Sequence, residues 1–160
     1  MTPRSVICGL DVSERRIGYA LVDYDSAEPL ETGTIHTPRG EDLHARVNAW
    51  RTISHNATQT GDIQLVLIEA PYAGPNRRGS LNHAMAIGNL AGIAAARLGS
   101  SILVDTIQPA TWRTLCGLPT RGKEPVLTWA SDLWPVADQD QADALGIATA
   151  AHHTAWKGTT

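Results

Sequence analysis

The first third of the chain alternates short apolar runs with polar breaks, in the manner of β-strands. Ser5–Val12, Arg16–Asp23 and residues 30–37 read as three strands, with Asp25-Ser26-Ala27-Glu28-Pro29 breaking the run as a turn. The period then changes: Leu43, Val47, Trp50, Ile53 and Ala57 fall at helical spacing, which predicts an amphipathic helix over residues 41–60. Residues 64–70 hold the apolar run Leu65-Val66-Leu67-Ile68 closed by Glu69, the pattern of a strand covered on both faces. A second helix is predicted over 80–98. Its many Gly and Ala residues let something pack close, either the sheet or a second subunit. A strand over 102–107 follows, then a short helix over 109–116 with Pro109 in its first turn and a loop over 117–122. Helices over 123–134 and 138–156, separated by Pro135, end the chain. Strands alternating with helices in the second half predict an α/β fold with a mixed five-stranded sheet flanked by helices. The first, fourth and fifth strands should be parallel, and the first three should form a meander.

At 160 residues the chain suits a single domain spanning 1–160. With 42% hydrophobic and 18% charged residues, its composition is that of an ordinary soluble domain. No apolar run approaches the ~20 residues that span a bilayer, and Met1-Thr2-Pro3-Arg4 opens no long apolar leader. A cytoplasmic protein with no membrane partner is expected. Cys8 and Cys116 form no CxxC pair, so both should be free, buried thiols. The formal net charge of -3 counts against a nucleic-acid partner, because neutralising phosphates supplies most of such affinity. It is compatible with one only if the acids gather at a metal site while Arg and Lys line the approach.

Four acids invite that arrangement. Asp11 ends the first strand and Glu69 ends the fourth, so neighbouring strands would bring both to the carboxyl edge of the sheet. Asp140 and Asp143, three residues apart, share one face of the last helix. Taken singly, Asp11 reads as a turn residue and Asp140 as a dipole partner of its helix. Glu69 after four aliphatics and Asp143 before Ala-Leu-Gly-Ile-Ala are harder to explain as surface. Four carboxylates beside a core would repel one another unless cations neutralise them. An all-oxygen site suits Mg²⁺, with Mn²⁺ able to substitute. Two such ions roughly 3.5–4 Å apart can activate water and stabilise the leaving oxygen of a phosphodiester.

Three segments resemble the RuvC family of Holliday-junction resolvases. Gly9-Leu10-Asp11-Val12-Ser13-Glu14-Arg15-Arg16-Ile17-Gly18-Tyr19-Ala20 is similar to the family's first hairpin. Leu67-Ile68-Glu69-Ala70-Pro71-Tyr72 resembles the strand that delivers the second acid, and residues 140–148 resemble the paired-acid helix. Order and intervals agree along essentially the whole chain. The resemblance implies an RNase H-like fold and a homodimer that places two sites on a four-way DNA junction. It also implies Mg²⁺-dependent symmetric nicking, with Asp11, Glu69, Asp140 and Asp143 as metal ligands. By the same resemblance Tyr72 stands where the family has an aromatic that engages bases at the junction centre, a role open to it because every base offers a π-face. Packing on its own loop is the alternative. Lys123 stands near a family lysine that would stabilise phosphate charge, and Arg113 near another at looser spacing. Val12-Ser13 replaces the family's usual Pro-Gly, and the loop over 117–122 also differs, so a divergent relative is implied.

Basic residues fall where substrate would lie. Asn76-Arg77-Arg78-Gly79 is expected in the loop leaving the catalytic strand, with Gly74 and Gly79 letting it move. Arg113, Arg121 and Lys123 surround the other loop. Arg77 and Arg78 would contact phosphate or simply form a solvated loop tip. His152 and His153, adjacent on a helix, should point apart in structural or solvent roles. Three other readings stand beside the DNA nuclease. One is an RNase H-like nuclease acting on RNA, as YqgF-type proteins are thought to be, or on flap substrates. A second is an actin-like ATPase or sugar kinase, which normally needs two such domains; this chain also lacks GxxxxGK[ST]. The third is a non-catalytic junction-binding scaffold, which has no use for so costly an acid cluster.

Overall fold

The computed structural model describes residues 4–38, 43–71, 77–99 and 102–155. Five strands, β1 (Ser5–Val12), β2 (Arg16–Asp23), β3 (Pro29–His36), β4 (Asp62–Glu69) and β5 (Leu103–Ile107), form one sheet in the order β3-β2-β1-β4-β5. The pairs β1/β2 and β2/β3 are antiparallel, while β1/β4 and β4/β5 are parallel. This is the mixed sheet with an N-terminal meander that the hydrophobic pattern predicts. The helices are α1 (Leu43–Thr60), α2 (Arg77–Leu98), α3 (Pro109–Leu115), α4 (Glu124–Leu133) and α5 (Gln139–Ala155). None of the described helices is long and apolar enough to cross a membrane.

Strand side chains alternate between faces, and the sheet sorts them into two cores. Val6, Cys8, Leu10 and Val12 of β1 join Ile17, Tyr19 and Leu21 of β2 on one face, covered by Trp50 and Ile53 of α1 and Ala86 and Leu90 of α2. Ile7, Ala20, Val22, Leu65 and Leu67 face the other way, against Ala144, Leu145, Ile147 and Ala148 of α5. α3 and α4 close over α5 with Trp112, Val126 and Ala130. A helix sandwiched between a sheet and two more helices must be apolar nearly all round, which accounts for the Ala-rich composition of α5.

Two strand glycines let α5 lie flat. A Cβ on Gly9 would stand 2.4 Å from the Ala144 carbonyl oxygen, and one on Gly18 would stand 2.2 Å from that of Asp140. Any side chain at either position would lift the helix off the sheet. At the opposite layer, Tyr19 donates to Glu31 Oε1 at 2.7 Å, and Asn56 Nδ2 reaches both, tying α1 to the meander.

Some boundaries differ from expectation. α2 begins at Arg77, so Arg77 and Arg78 open a helix instead of lying in a loop. Gly79 is absorbed into its first turn at a cost of ~1 kcal/mol, which the flanking helix formers tolerate. β4 starts two residues early, at Asp62, and stops at Glu69. Cys8 and Cys116 are both free, but Cys116 is only half-buried. The rings of His152 and His153 meet edge to face at 5.7 Å instead of pointing apart, and His152 Nε2 contacts the Asp25 carbonyl at 3.1 Å.

Candidate metal centre and nucleic-acid interface

Alternation decides which way the strand acids point. Asp11 shares its face of β1 with Ile7 and Gly9, and Glu69 shares its face of β4 with Leu65 and Leu67, so both project toward α5. Leu10 pairs with Ile68 in the parallel ladder, which makes Asp11 and Glu69 the next residues in register at the carboxyl edge. On the other side, Asp11 pairs with Gly18. The first turn of α5 rests directly on Gly18. That turn is fixed by Asp138, whose Oδ1 accepts the Gln141 amide at 2.9 Å in the manner of an N-cap. Gln141 in turn bonds Thr32 and Thr34 of β3, so the edge strand sets the start of the acid-bearing helix.

Asp11 consequently falls within electrostatic reach of the other three carboxylates. Burial pushes the Asp11 carboxyl well above the usual carboxylate range; Glu69, Asp143 and Asp140 push it further, and Arg16 opposes them. Glu69 is raised by burial and by Asp143, against a hydrogen bond from Trp112 and the charge of Arg113. Asp140 is raised by burial and Asp138, opposed by Arg16, Lys123 and His36. Asp143 is raised by burial and Asp140, opposed by its bond from Gln139 and by Arg113 and Lys123. All four shifts are upward, so the local cations do not offset the cost of holding these charges at the edge of a core.

Among the described residues, Asp140, Asp143 and Glu69 each have a side-chain partner. Arg16 Nε lies 2.9 Å from Asp140 Oδ2. Gln139 Nε2 donates to Asp143 Oδ1 at 2.9 Å, and Arg113 Nη2 stands 3.9 Å from the same oxygen. Trp112 Nε1 donates to Glu69 Oε2 at 2.7 Å. Among the described residues, no three Asp, Glu, His or Cys side chains are drawn tightly enough together to hold a metal ion as they stand. The donor set is nevertheless all carboxylate oxygen, on one face, and short of positive charge. Those properties fit a hard divalent cation.

The basic residues divide into two groups. Lys123 precedes α4 and is exposed, as are Arg121 and Arg78. Arg113 is instead largely enclosed: Nη1 donates to the Gly122 carbonyl at 2.6 Å, and the guanidinium lies over the Trp112 ring at 5.0 Å. Tyr72, Gly74, Asn76 and the Arg77 side chain lie outside the described residues. Sequence reasoning did not single out Arg16, Trp112 or Gln139. The signal for Trp112 was available in principle, because a buried indole N–H needs an acceptor. Arg16 owes its place to the hairpin, where Ser13 accepts the Arg16 amide at 3.0 Å and donates back to its carbonyl at 2.9 Å. The departure at Val12-Ser13 therefore closes the turn by a side chain and presents a cation to Asp140.

No protein-family model matches the chain, and no curated protein matches it by sequence. Solved structures do match. The chain is similar to Thermus thermophilus RuvC in complex with a Holliday junction substrate, with TM-score 0.75, 19% identity, and 97% of each chain covered. A second Thermus thermophilus RuvC structure gives 0.73 at 20% identity, covering 96% of this chain and 97% of that one. The yeast mitochondrial Holliday junction resolvase Ydc2 gives 0.59 at 11% identity, covering 99% and 84%. The chain thus has the RNase H-like fold of RuvC-type junction resolvases over nearly its whole length.

Proposed function

We propose that this protein is a divalent-metal-dependent endonuclease that cuts branched DNA, four-way junctions in particular, as a homodimer. The observation that carries the reading is the placement of Asp11, Glu69, Asp140 and Asp143 on one face at the carboxyl edge, all with carboxyls raised toward protonation. These four would hold two Mg²⁺ ions, or Mn²⁺ in their place. The bound ions would supply an activated water and neutralise charge on the scissile phosphodiester. The chain's own residues do the rest. Asp138 and the glycines at 9 and 18 fix α5 so that its acids face the strand acids. Lys123, exposed beside Asp140 and Asp143, would steady the phosphate. Arg78, Arg121 and Arg77 would track the backbone, Tyr72 would stack on a base at the branch, and Arg113 would hold Asp143 from behind while bordering the substrate.

A second copy would dock on α2. Its outer face carries Leu81 (60% exposed), Met85 (45% exposed), Gly88 and Gly92, at the four-three-four spacing of a helix–helix seam. Among the described residues, nothing beyond their own helix stands within 4 Å of a Cβ at either glycine, which leaves room for a partner backbone.

The test is cleavage of a mobile four-way DNA junction with Mg²⁺, comparing wild type with Asp143→Asn. Symmetric nicking by wild type, with junction binding kept and nicking nearly lost in the variant, is expected, because an amide cannot supply the anionic charge. Flap DNA, duplex RNA and structured RNA run alongside. Preferential cutting of an RNA substrate would replace the DNA reading, and equal cutting by both proteins would remove Asp143 from the chemistry.

A further inference from the structure

Trp112 is the most firmly seated contact of the acidic edge. Its side chain is fully buried, its Nε1–H donates to Glu69 Oε2 at 2.7 Å, and the Arg113 guanidinium covers one ring face. Against the ring stands Gly146 of α5, where a Cβ would lie 2.5 Å from Trp112 Cζ3 and 2.9 Å from Cε3. The indole thus sits in a notch of the helix that carries Asp140 and Asp143, wedged between that helix and the strand that carries Glu69. A ring locked on both sides cannot reorient, and an indole N–H can only donate. Among the described residues, Glu69 Oε1 has no hydrogen-bond donor, while Oε2 is taken.

We propose that Trp112 is a positioning residue for Glu69: its indole N–H pins Oε2, so that Glu69 offers a single oxygen, Oε1, to a cation in the site. The proposal rests on the metal-dependent reading above. A carboxylate free to turn can present either oxygen or chelate one ion with both; the hydrogen bond at Oε2 disfavours chelation and leaves Oε1 as the oxygen presented. Pinning also removes the rotamer freedom that binding would otherwise have to freeze, and partners that orient a ligand in this way change metal affinity by ~10–100-fold when removed.

The experiment uses the full chain with ¹⁵N-labelled tryptophan, the five indole N–H resonances being assigned by single Trp→Phe variants. Glu69→Gln is expected to move the Trp112 indole proton upfield and leave the other four in place, since a neutral amide is a weaker acceptor than a carboxylate. Titration of wild type with Mg²⁺ should shift the same resonance saturably. Trp112→Phe keeps an aromatic ring in the notch and removes only the donor. Its affinity for Mn²⁺, read by the electron paramagnetic resonance of free ion, should fall ~10–100-fold with the circular dichroism of wild type retained. Wild type that binds no Mn²⁺ overturns the metal-dependent reading and the proposal together. Wild type that binds Mn²⁺ while Trp112→Phe binds equally well, or while the indole resonance ignores both Glu69→Gln and Mg²⁺, overturns the proposal alone. Should Trp112→Phe not fold, the indole responses to Glu69→Gln and to Mg²⁺ decide it.

Discussion

Substituting Gly18 by Ala disturbs the site while leaving every proposed ligand chemically intact. Gly18 pairs with Asp11 across the first hairpin and lies beneath the first turn of α5. A Cβ built there stands 2.2 Å from the Asp140 carbonyl oxygen and 2.5 Å from its carbonyl carbon. Both atoms are backbone, so no rotamer relieves the clash. The carbonyl must retreat by about 0.8 Å merely to reach 3.0 Å, below which real Cβ contacts essentially never fall. α5 has Trp112, Val126 and Ala130 packed behind it, so the retreat compresses a filled layer, at ~1–3 kcal/mol. The residue pushed away is itself one of the acids, and Asp143 follows one turn later. A displacement on the order of 1 Å at reacting groups costs ~10²-fold in rate. Gly18→Ala is therefore expected to stay folded, to lose ~1–3 kcal/mol in urea unfolding, and to nick four-way junctions ~100-fold more slowly than wild type. Gly88→Ala makes the same chemical change inside α2, where no described residue outside the helix stands within 4 Å, and in the isolated monomer should gain ~0.5–1 kcal/mol. A Gly18→Ala protein as stable and as fast as wild type would show that α5 has slack against the sheet, and that this close approach does not hold the acids together.

A carboxyl raised above its ordinary range binds more protons folded than unfolded. The metal-free protein should therefore lose stability from these four groups as pH climbs from about 4 through their native values, and regain it on acidification. Asp11→Asn should raise the metal-free Tm at pH 7 by about 2–4 °C, roughly 1 kcal/mol for a chain of this size, and flatten that slope; a lower Tm in EDTA would mean that Arg16 already satisfies the charge. Lys123→Gln should slow nicking ~10²-fold at unchanged urea stability, because Lys123 is exposed yet acts on Asp140 and Asp143; unchanged rates would free it from the site. Gly92→Arg fills open space, so it should leave the monomer folded but halve the mass seen by sedimentation. It should also convert paired nicks in a cruciform plasmid to single nicks; an unchanged mass would move the interface elsewhere.

How far the sequence could be read depended on whether a feature is local. The strands and helices were legible because each declares its own period, and the apolar surround of Asp143 on α5 already marked a helix buried between layers. Asp11 and Glu69 were legible as partners only on the condition that their strands are neighbours, which the parallel β1/β4 ladder meets. Arg16 was not, since its partner Asp140 is 124 residues away and is met only because α5 crosses β2 at Gly18. Trp112 was hidden for the same reason, its two neighbours Glu69 and Gly146 lying on different elements. The start of α2 was placed three residues late because the glycine at 79 was read as loosening a loop, whereas the helix runs from Arg77 through it.

The net charge of -3, which at first argues against a nucleic-acid partner, becomes intelligible once the acids are located. Sixteen acids stand against thirteen bases, but with Asp11, Glu69, Asp140 and Asp143 set aside, twelve remain. The deficit belongs to one enclosed cluster, and the exposed bases Lys123, Arg121 and Arg78 are free to meet phosphate around it. A duplex approaching the metal-free edge meets four carboxylates where its scissile phosphate must lie, and like charges at that range oppose docking. Divalent ions neutralise this charge, and replacing a carboxylate by an amide lowers it by one unit. Asp143→Asn should therefore bind a junction at least as tightly as wild type in EDTA while cutting it far more slowly. That opposite movement of affinity and rate distinguishes a residue that holds metal from one that merely holds the fold, because loss of structure lowers both.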